Sequence, residues 1–276
     1  MTIIKKMLRN PSAVVGLIIL VLIMFIAIFG PFFTQSPYEQ NTGVKLSPPS
    51  SEHLLGTDEF GRDVLSRVVL GARYSLSAGF VAVILGLIGG LLLGSVSGYY
   101  GGIFDKLIMT ICDILLAFPS VLLAMAIVMV MEPGIYTPMF AVGISSTPIF
   151  ARLVRAQFMS LRDSCFVEAV RSSGAGDLRI IFVHLLPNSM GPIIIQATLR
   201  IGSSILLAAT LSFLGLGAQP PTPEWGAMLN SARAYIWSAS YLAVIPGLAI
   251  TFTVIAVNLI GDALRDYLDP RTRTLL

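Results

Sequence analysis

Residues 11–33 run for more than twenty positions without a charged side chain. A bilayer's hydrocarbon core is about 30 Å thick and takes roughly 20 apolar residues of helix to cross. Further apolar runs lie at residues 75–98, 107–131, 136–150, 191–217 and 241–264. The run at 136–150 is either short and bracketed by Pro138 and Pro148, as in spans that line a solute path, or extends past Arg152 with that side chain snorkelling. The chain of 276 residues is 55% hydrophobic and 12% charged, whereas soluble domains carry about 25% charged residues. These runs predict an all-α integral membrane protein with six transmembrane helices. The first run is too long for a signal-peptide core and reads as a retained span.

Charge gives the orientation. Lys5, Lys6, Arg9, Lys106, Arg152, Arg155, Arg162, Arg171, Arg179, Arg265, Arg271 and Arg273 fall at one set of span ends. Lys45, Arg62, Arg67, Arg73 and Arg233 fall at the other. The positive-inside rule places the richer set, with both termini, in the cytoplasm. Three regions follow: 1–74, a first helix with an extracytoplasmic loop; 75–264, a core of five spans; and 265–276, a cytoplasmic tail. Within the loop, Val64, Leu65, Val68 and Val69 share one face opposite Arg62, Asp63, Ser66 and Arg67, which predicts a helix lying along the outer surface.

Between the fourth and fifth spans lies a polar island, residues 162–188. Ser164 is placed to cap a short helix, Gly174 to end it, Asp177 to cap a second, and Pro187 to stop that one. Phe166, Val167 and Val170 form one apolar stripe; Leu178, Ile181, Phe182 and Leu185 form another. Such an elbow is either an ordinary interhelical connection with amphipathic packing or a cytoplasmic lever for a soluble partner.

Other features are weighed similarly. Gly86, Gly90, Gly94 and Gly98 repeat every fourth residue, letting helix backbones approach closely, within this chain or against a second subunit. Asp113, Arg200 and Asn258 lie inside predicted spans, roughly 9–13 Å from the inner end at 1.5 Å per residue. Asp113 and Arg200 then face a solute path or each other, or else snorkel to the interface. His53, Asp58, Glu59 and Asp63 have no calcium-loop spacing and read as surface polarity. Cys112 and Cys165 are expected as free thiols. No P-loop, Cys/His metal set or nucleophile triad occurs, so the chain is not expected to be an enzyme or to hold a metal or cofactor. The net charge of +3 is too small to suggest nucleic acid.

Several segments resemble the permease subunits of ABC importers. Glu168-Ala169, Gly174 and Leu186-Pro187 resemble the EAA loop of that family, with Val170 in place of its second alanine. His184 to Asn188, His53 to Asp63, Asp113 to Pro119 and the stretch PPTPEWGAML are similar to the dipeptide, oligopeptide and nickel branch. The resemblance implies a coupling helix, with Phe166, Glu168, Ala169, Val170, Gly174, Leu186 and Pro187 docking on an ATPase. It implies a second permease, two ATPase subunits that bind ATP and magnesium, and an extracytoplasmic binding protein. The implied solutes are di- or oligopeptides, with nickel or metal chelates as the alternative. A stand-alone secondary transporter is the remoter alternative, for which no internal repeat is seen. A membrane scaffold is a further one.

Overall fold

The computed structural model describes residues 10–268. The charged tails expected at Lys5, Lys6 and Arg9, and at Arg271 and Arg273, lie outside them. Among the described residues the regular secondary structure is helical apart from an isolated bridge between Thr57 and Asp63. Helix α1 spans Pro11–Phe29 and tightens into a 3-10 turn at Gly30–Phe32. It is followed by α2 (Val64–Tyr100), α3 (Gly102–Ala117), α4 (Ser120–Met129), α5 (Thr137–Arg162) and α6 (Cys165–Ser172). Helix α7 runs Asp177–Phe213, α8 spans Trp225–Ala232, and α9 spans Tyr241–Leu268.

Four of these helices (α1, α2, α7 and α9) are long and apolar enough to cross a membrane, or five if α3 and α4 count as one bent span. Helix α5 has the length, at 26 residues, but not the apolar character. Its Ser145 and Ser146 are buried against neighbouring helices rather than lipid, and the Ser145 hydroxyl donates to the Val142 carbonyl of its own helix. The fourth run was expected at 136–150 or extended past Arg152; the helix takes the longer form and continues to Arg162, with Pro138 in its first turn and Pro148 accommodated inside it.

Two other expectations change. The amphipathic segment at 64–69 is no separate surface helix but the first turns of α2, capped by Asp63, whose carboxylate accepts from the Ser66 N–H at 2.8 Å. Its polar face is turned inward: Ser66 and Arg67 are buried. The third run is broken. Phe118 and Pro119 are extended, and α3 and α4 meet at 99°, because proline withdraws a helical N–H and biases the preceding residue away from the helix.

The tightest packing is between α2 and α5. The four-residue glycine stripe of α2 lies on α5 of the same chain. A methyl on Gly90 would stand 2.2 Å from Phe150 Cβ; on Gly94, 2.6 Å from the Ala151 carbonyl oxygen; on Gly98, 2.7 Å from Phe158 Cβ. Only hydrogen fits at these positions, so backbone rests almost on backbone. Helix α7 closes the other side of α2, and α9 packs on both α7 and α1.

The seam sets a test. Gly90→Ala should force the helices apart and cost about 1–3 kcal/mol, the range for overpacking. Gly191→Ala, whose added methyl meets nothing within 4 Å, should be neutral. Thermal unfolding of both variants in detergent measures the difference.

Candidate functional site

The elbow follows directly from the end of this seam. Helix α5 stops at Arg162, and Ser164 starts α6 through its backbone carbonyl, which accepts from the N–H groups of Val167 and Glu168. The Ser164 hydroxyl turns back to the Leu161 carbonyl at 2.5 Å, so it is not the side-chain cap expected. Helix α6 ends in a Schellman turn. Gly174 N–H donates to the Arg171 carbonyl and Ala175 N–H to that of Val170, with Gly174 at φ +83°. That left-handed value favours glycine.

Asp177 begins α7 but does not cap it. Its carboxylate accepts from the Tyr99 hydroxyl at 2.7 Å, while the Arg171 guanidinium lies 5.9 Å from the Tyr99 ring centre. Tyr99, at the last turn of α2, thus touches both arms of the elbow. Below it is an apolar core of Val154, Phe158, Val167, Ile180, Ile181 and Leu185.

Pro187 does not end the second arm. Residues Ile180–Leu185 widen into a π-helical turn, in which Leu186 N–H reaches back to the Ile181 carbonyl, and the helix continues through Pro187 to Phe213. The wider turn shifts the ladder just ahead of the residue that cannot donate. It also rotates the expected stripe: Ile180, Ile181 and Leu185 are buried, while Leu178 and Phe182 are exposed. On α6 only Val167 is fully covered. Phe166, Glu168 and Ala169 face outward, Val170 and Leu186 are half-buried, and Pro187 and Gly174 are exposed. The elbow therefore has a covered apolar underside and an uncovered mixed face.

The charged residues within the helices pair differently from expectation. Asp113 pairs with Arg152 of α5, not with Arg200. Asp105 takes a two-pronged contact from Arg155, at 2.5 and 2.7 Å, and bonds the Ser97 hydroxyl at 2.5 Å, tying α3, α5 and α2 at the elbow end. Arg200 has no ion pair among the described residues. It lines a cavity of about 230 Å³ with Ser120, Ser145, Ser146, Ser203 and Ser204. Asn258 of α9 is exposed, with its amide oxygen against Gly202 of α7. An unpaired arginine at a helix centre costs roughly 2.5–3.5 kcal/mol to insert, so its place beside a cavity that carries five serines is informative.

At the opposite end of the helices Asp58 and Asp63 of the loop are held by ion pairs and hydrogen bonds. Asp58 bonds Arg62 at 2.7 Å and lies 3.3 Å from Arg67; Asp63 lies 3.1 Å from His53 Nδ1. No group of three or more metal-ligating side chains forms among the described residues. The PEW stretch is structural there. The buried Glu224 carboxylate caps α8 and accepts from the Ser75 hydroxyl at 2.8 Å, and Trp225 donates from its indole to the Val68 carbonyl at 2.9 Å. Cys112 is buried and Cys165 exposed, both as free thiols.

Sequence reasoning gave Tyr99 no role, did not pair Arg152 with Asp113, and put Leu178 on an apolar stripe, whereas it is exposed. The first was signalled only by a tyrosine pair closing a glycine-rich span.

Residues 90–274 match the family model described as "Binding-protein-dependent transport system inner membrane component", and residues 2–49 match "N-terminal TM domain of oligopeptide transport permease C". A "Dipeptide transport system permease protein DppC" of Alkalihalophilus pseudofirmus is 51% identical over 271 residues, 98% of this chain and 89% of the relative. The "Di/tripeptide transport system permease protein DppC" of Pseudomonas aeruginosa is 49% identical, covering 96% and 90% of the two chains. A "Glutathione transport system permease protein GsiD" of Pectobacterium atrosepticum is 46% identical, covering 98% and 90%. Among solved structures, an inward-facing MetNI methionine ABC transporter aligns with a TM-score of 0.59 at 19% identity, over 73% of this chain and 96% of that one. That likeness shows a shared fold.

Tyr99→Phe removes the hydroxyl that reaches Asp177 and should loosen the elbow by about 0.5–1.5 kcal/mol, the net worth of one hydrogen bond. Hydrogen exchange across residues 165–180 should quicken in this variant and remain unchanged in the seam.

Proposed function

This chain belongs to the family of binding-protein-dependent transport system inner membrane components, and from that premise we propose that it is one permease subunit of an ABC importer for di- or oligopeptides. It works beside a second, homologous permease in the cytoplasmic membrane of a bacterium or archaeon. Two ATPase subunits bind ATP and magnesium, and an extracytoplasmic binding protein delivers the solute. The chain makes six crossings with both termini inside. Helices α3 and α4 together count as one of these, and α5 as another. The named relatives favour peptides: two are dipeptide or di/tripeptide permeases and a third is a glutathione permease.

The observation that carries the coupling role is the elbow's two-sidedness. Its underside is anchored to α2, α5 and α7, while Phe166, Glu168 and Ala169 stand uncovered on α6. A soluble ATPase grips the uncovered face. Val170, Gly174, Leu186 and Pro187 set the angle between the arms. When the ATPases close on ATP, the push on α6 passes through Tyr99 to α2 and through the π-helical turn to α7. Packed helices respond as rigid bodies, so a small displacement at the elbow changes which end of the path is open. The path itself is assigned to Arg200, Asp113 and Asn258, half-buried or exposed in the isolated chain.

Glu168→Lys reverses a charge on the uncovered face; Gly174→Pro forbids the left-handed turn and removes a bonded N–H. Both variants should reach the membrane, yet uptake and solute-stimulated ATP hydrolysis should fall roughly fivefold or more, the scale of a coupling energy of 1–3 kcal/mol. Normal uptake by both, in proteoliposomes holding the full complex, would contradict the docking role.

A further inference from the structure

Arg200 lies midway along the α-helical stretch Leu186–Phe213, about 20 Å from either end at 1.5 Å per residue. Several other charges within the helices have partners among the described residues. Asp113 pairs with Arg152 and Asp105 with Arg155. Arg73 donates to the carbonyls of Ala27 and Ile28 at the end of α1. Arg200 has neither an ion pair nor a side-chain hydrogen bond among the described residues. Instead it opens on a cavity of about 230 Å³ between α5, α7 and the start of α4.

The hydroxyls of that cavity matter. Ser145 and Ser203 donate to backbone carbonyls, of Val142 and of Arg200 itself. The hydroxyls of Ser120, Ser146 and Ser204 make no hydrogen bond among the described residues, although Ser146 and Ser204 are 5% and 2% exposed. A guanidinium with unspent donors, set among unspent hydroxyl donors in a mostly apolar wall, is a receptor for a compact anion. Arginine holds a carboxylate by two parallel N–H···O bonds, and the contact gains strength where water is scarce. The depth excludes a lipid phosphate, since headgroups lie beyond a hydrocarbon layer about 30 Å thick. The volume falls below the roughly 300–1,000 Å³ of pockets that enclose a drug-sized ligand. It suits one end of a peptide.

We propose that the Arg200 cavity is a mid-membrane subsite for the solute's carboxylate, with Ser120, Ser146 and Ser204 supplying further hydrogen bonds. The inference rests on the peptide-import reading and goes beyond it by placing one end of the solute. A passing carboxylate is held there in place of its hydration shell, then released as the helices shift.

The test uses the complete complex in proteoliposomes, with its binding protein saturated beforehand by labelled Ala-Ala or by Ala-Ala amide. The measured quantity is the ratio of single-turnover uptake rates for the two probes. The same binding protein serves every permease variant, so its own preference cancels between them. Wild type should favour the free acid roughly tenfold or more, as expected for a charge-assisted hydrogen bond. In Arg200→Gln the ratio should fall close to one; Arg200→Lys should keep part of it; Ser146→Ala with Ser204→Ala should lower it severalfold. An Arg200→Gln ratio equal to that of wild type would overturn the proposal, as would a wild-type ratio near one. If Arg200→Gln blocks assembly with the second permease while the double serine variant keeps the full ratio, Arg200 pairs across the interface and the proposal falls. A wild-type complex that moves neither probe would instead overturn the peptide reading, and this inference with it.

Discussion

Close contact between two helix backbones governs the rest of the structure. Along α2 the glycines at 86, 90, 94 and 98 leave no room for a side chain against α5. Lipid gives no hydrophobic drive for helices to associate, so van der Waals contact at short range must hold them. The seam runs up to the elbow: its last glycine meets Phe158 and Arg155, and the next residue is Tyr99. The most intimate contact in the membrane portion and the anchor of the elbow are therefore continuous.

Under the proposed coupling role, that continuity lets a short polar helix act on a membrane pathway. A loosely tethered α6 would dissipate a push in its own motion. Here Val167 sits in a core shared with α5 and α7, and the Schellman turn at Gly174 fixes the angle between the arms. The π-helical turn at Ile180–Leu185 then hands the second arm to a helix that continues to Phe213. At the far end, Glu224 and Trp225 tie α8 to α2, so both ends of α2 are held by long-range contacts. The Arg200 cavity lies between these two fixed ends, where relative motion of α5 and α7 would change its shape.

Much of this was legible because membranes leave few choices. Long apolar runs must be helices, and a four-residue glycine repeat must be a contact face. Gly174 was readable because a left-handed turn needs it. The misses share a cause: a local signal was overridden by tertiary surroundings. Pro187 looked like a helix end, but a π-helical turn absorbs the missing donor. The polar face at 62–67 looked like a surface, but its ion pairs with Asp58 bury it. Depth left Asp113 and Arg200 to face each other, a solute path or the interface, because depth says nothing about which face of a helix a residue occupies; Asp113 pairs with Arg152. The break at Phe118–Pro119 was visible in the sequence as a proline and was outweighed by the hydrophobic run around it.

The central claim is that the elbow stands on the cytoplasmic side and is covered there by an ATPase. The chain carries its own reporter: Cys165 is exposed at the start of α6, while Cys112 is buried and should stay silent. Labelling with a membrane-impermeant maleimide can be compared in inside-out and right-side-out vesicles, with and without the ATPase subunits. The account predicts labelling of Cys165 in inside-out vesicles alone, and its loss when the ATPase subunits are present. Labelling in right-side-out vesicles, or labelling indifferent to the ATPase, would contradict it.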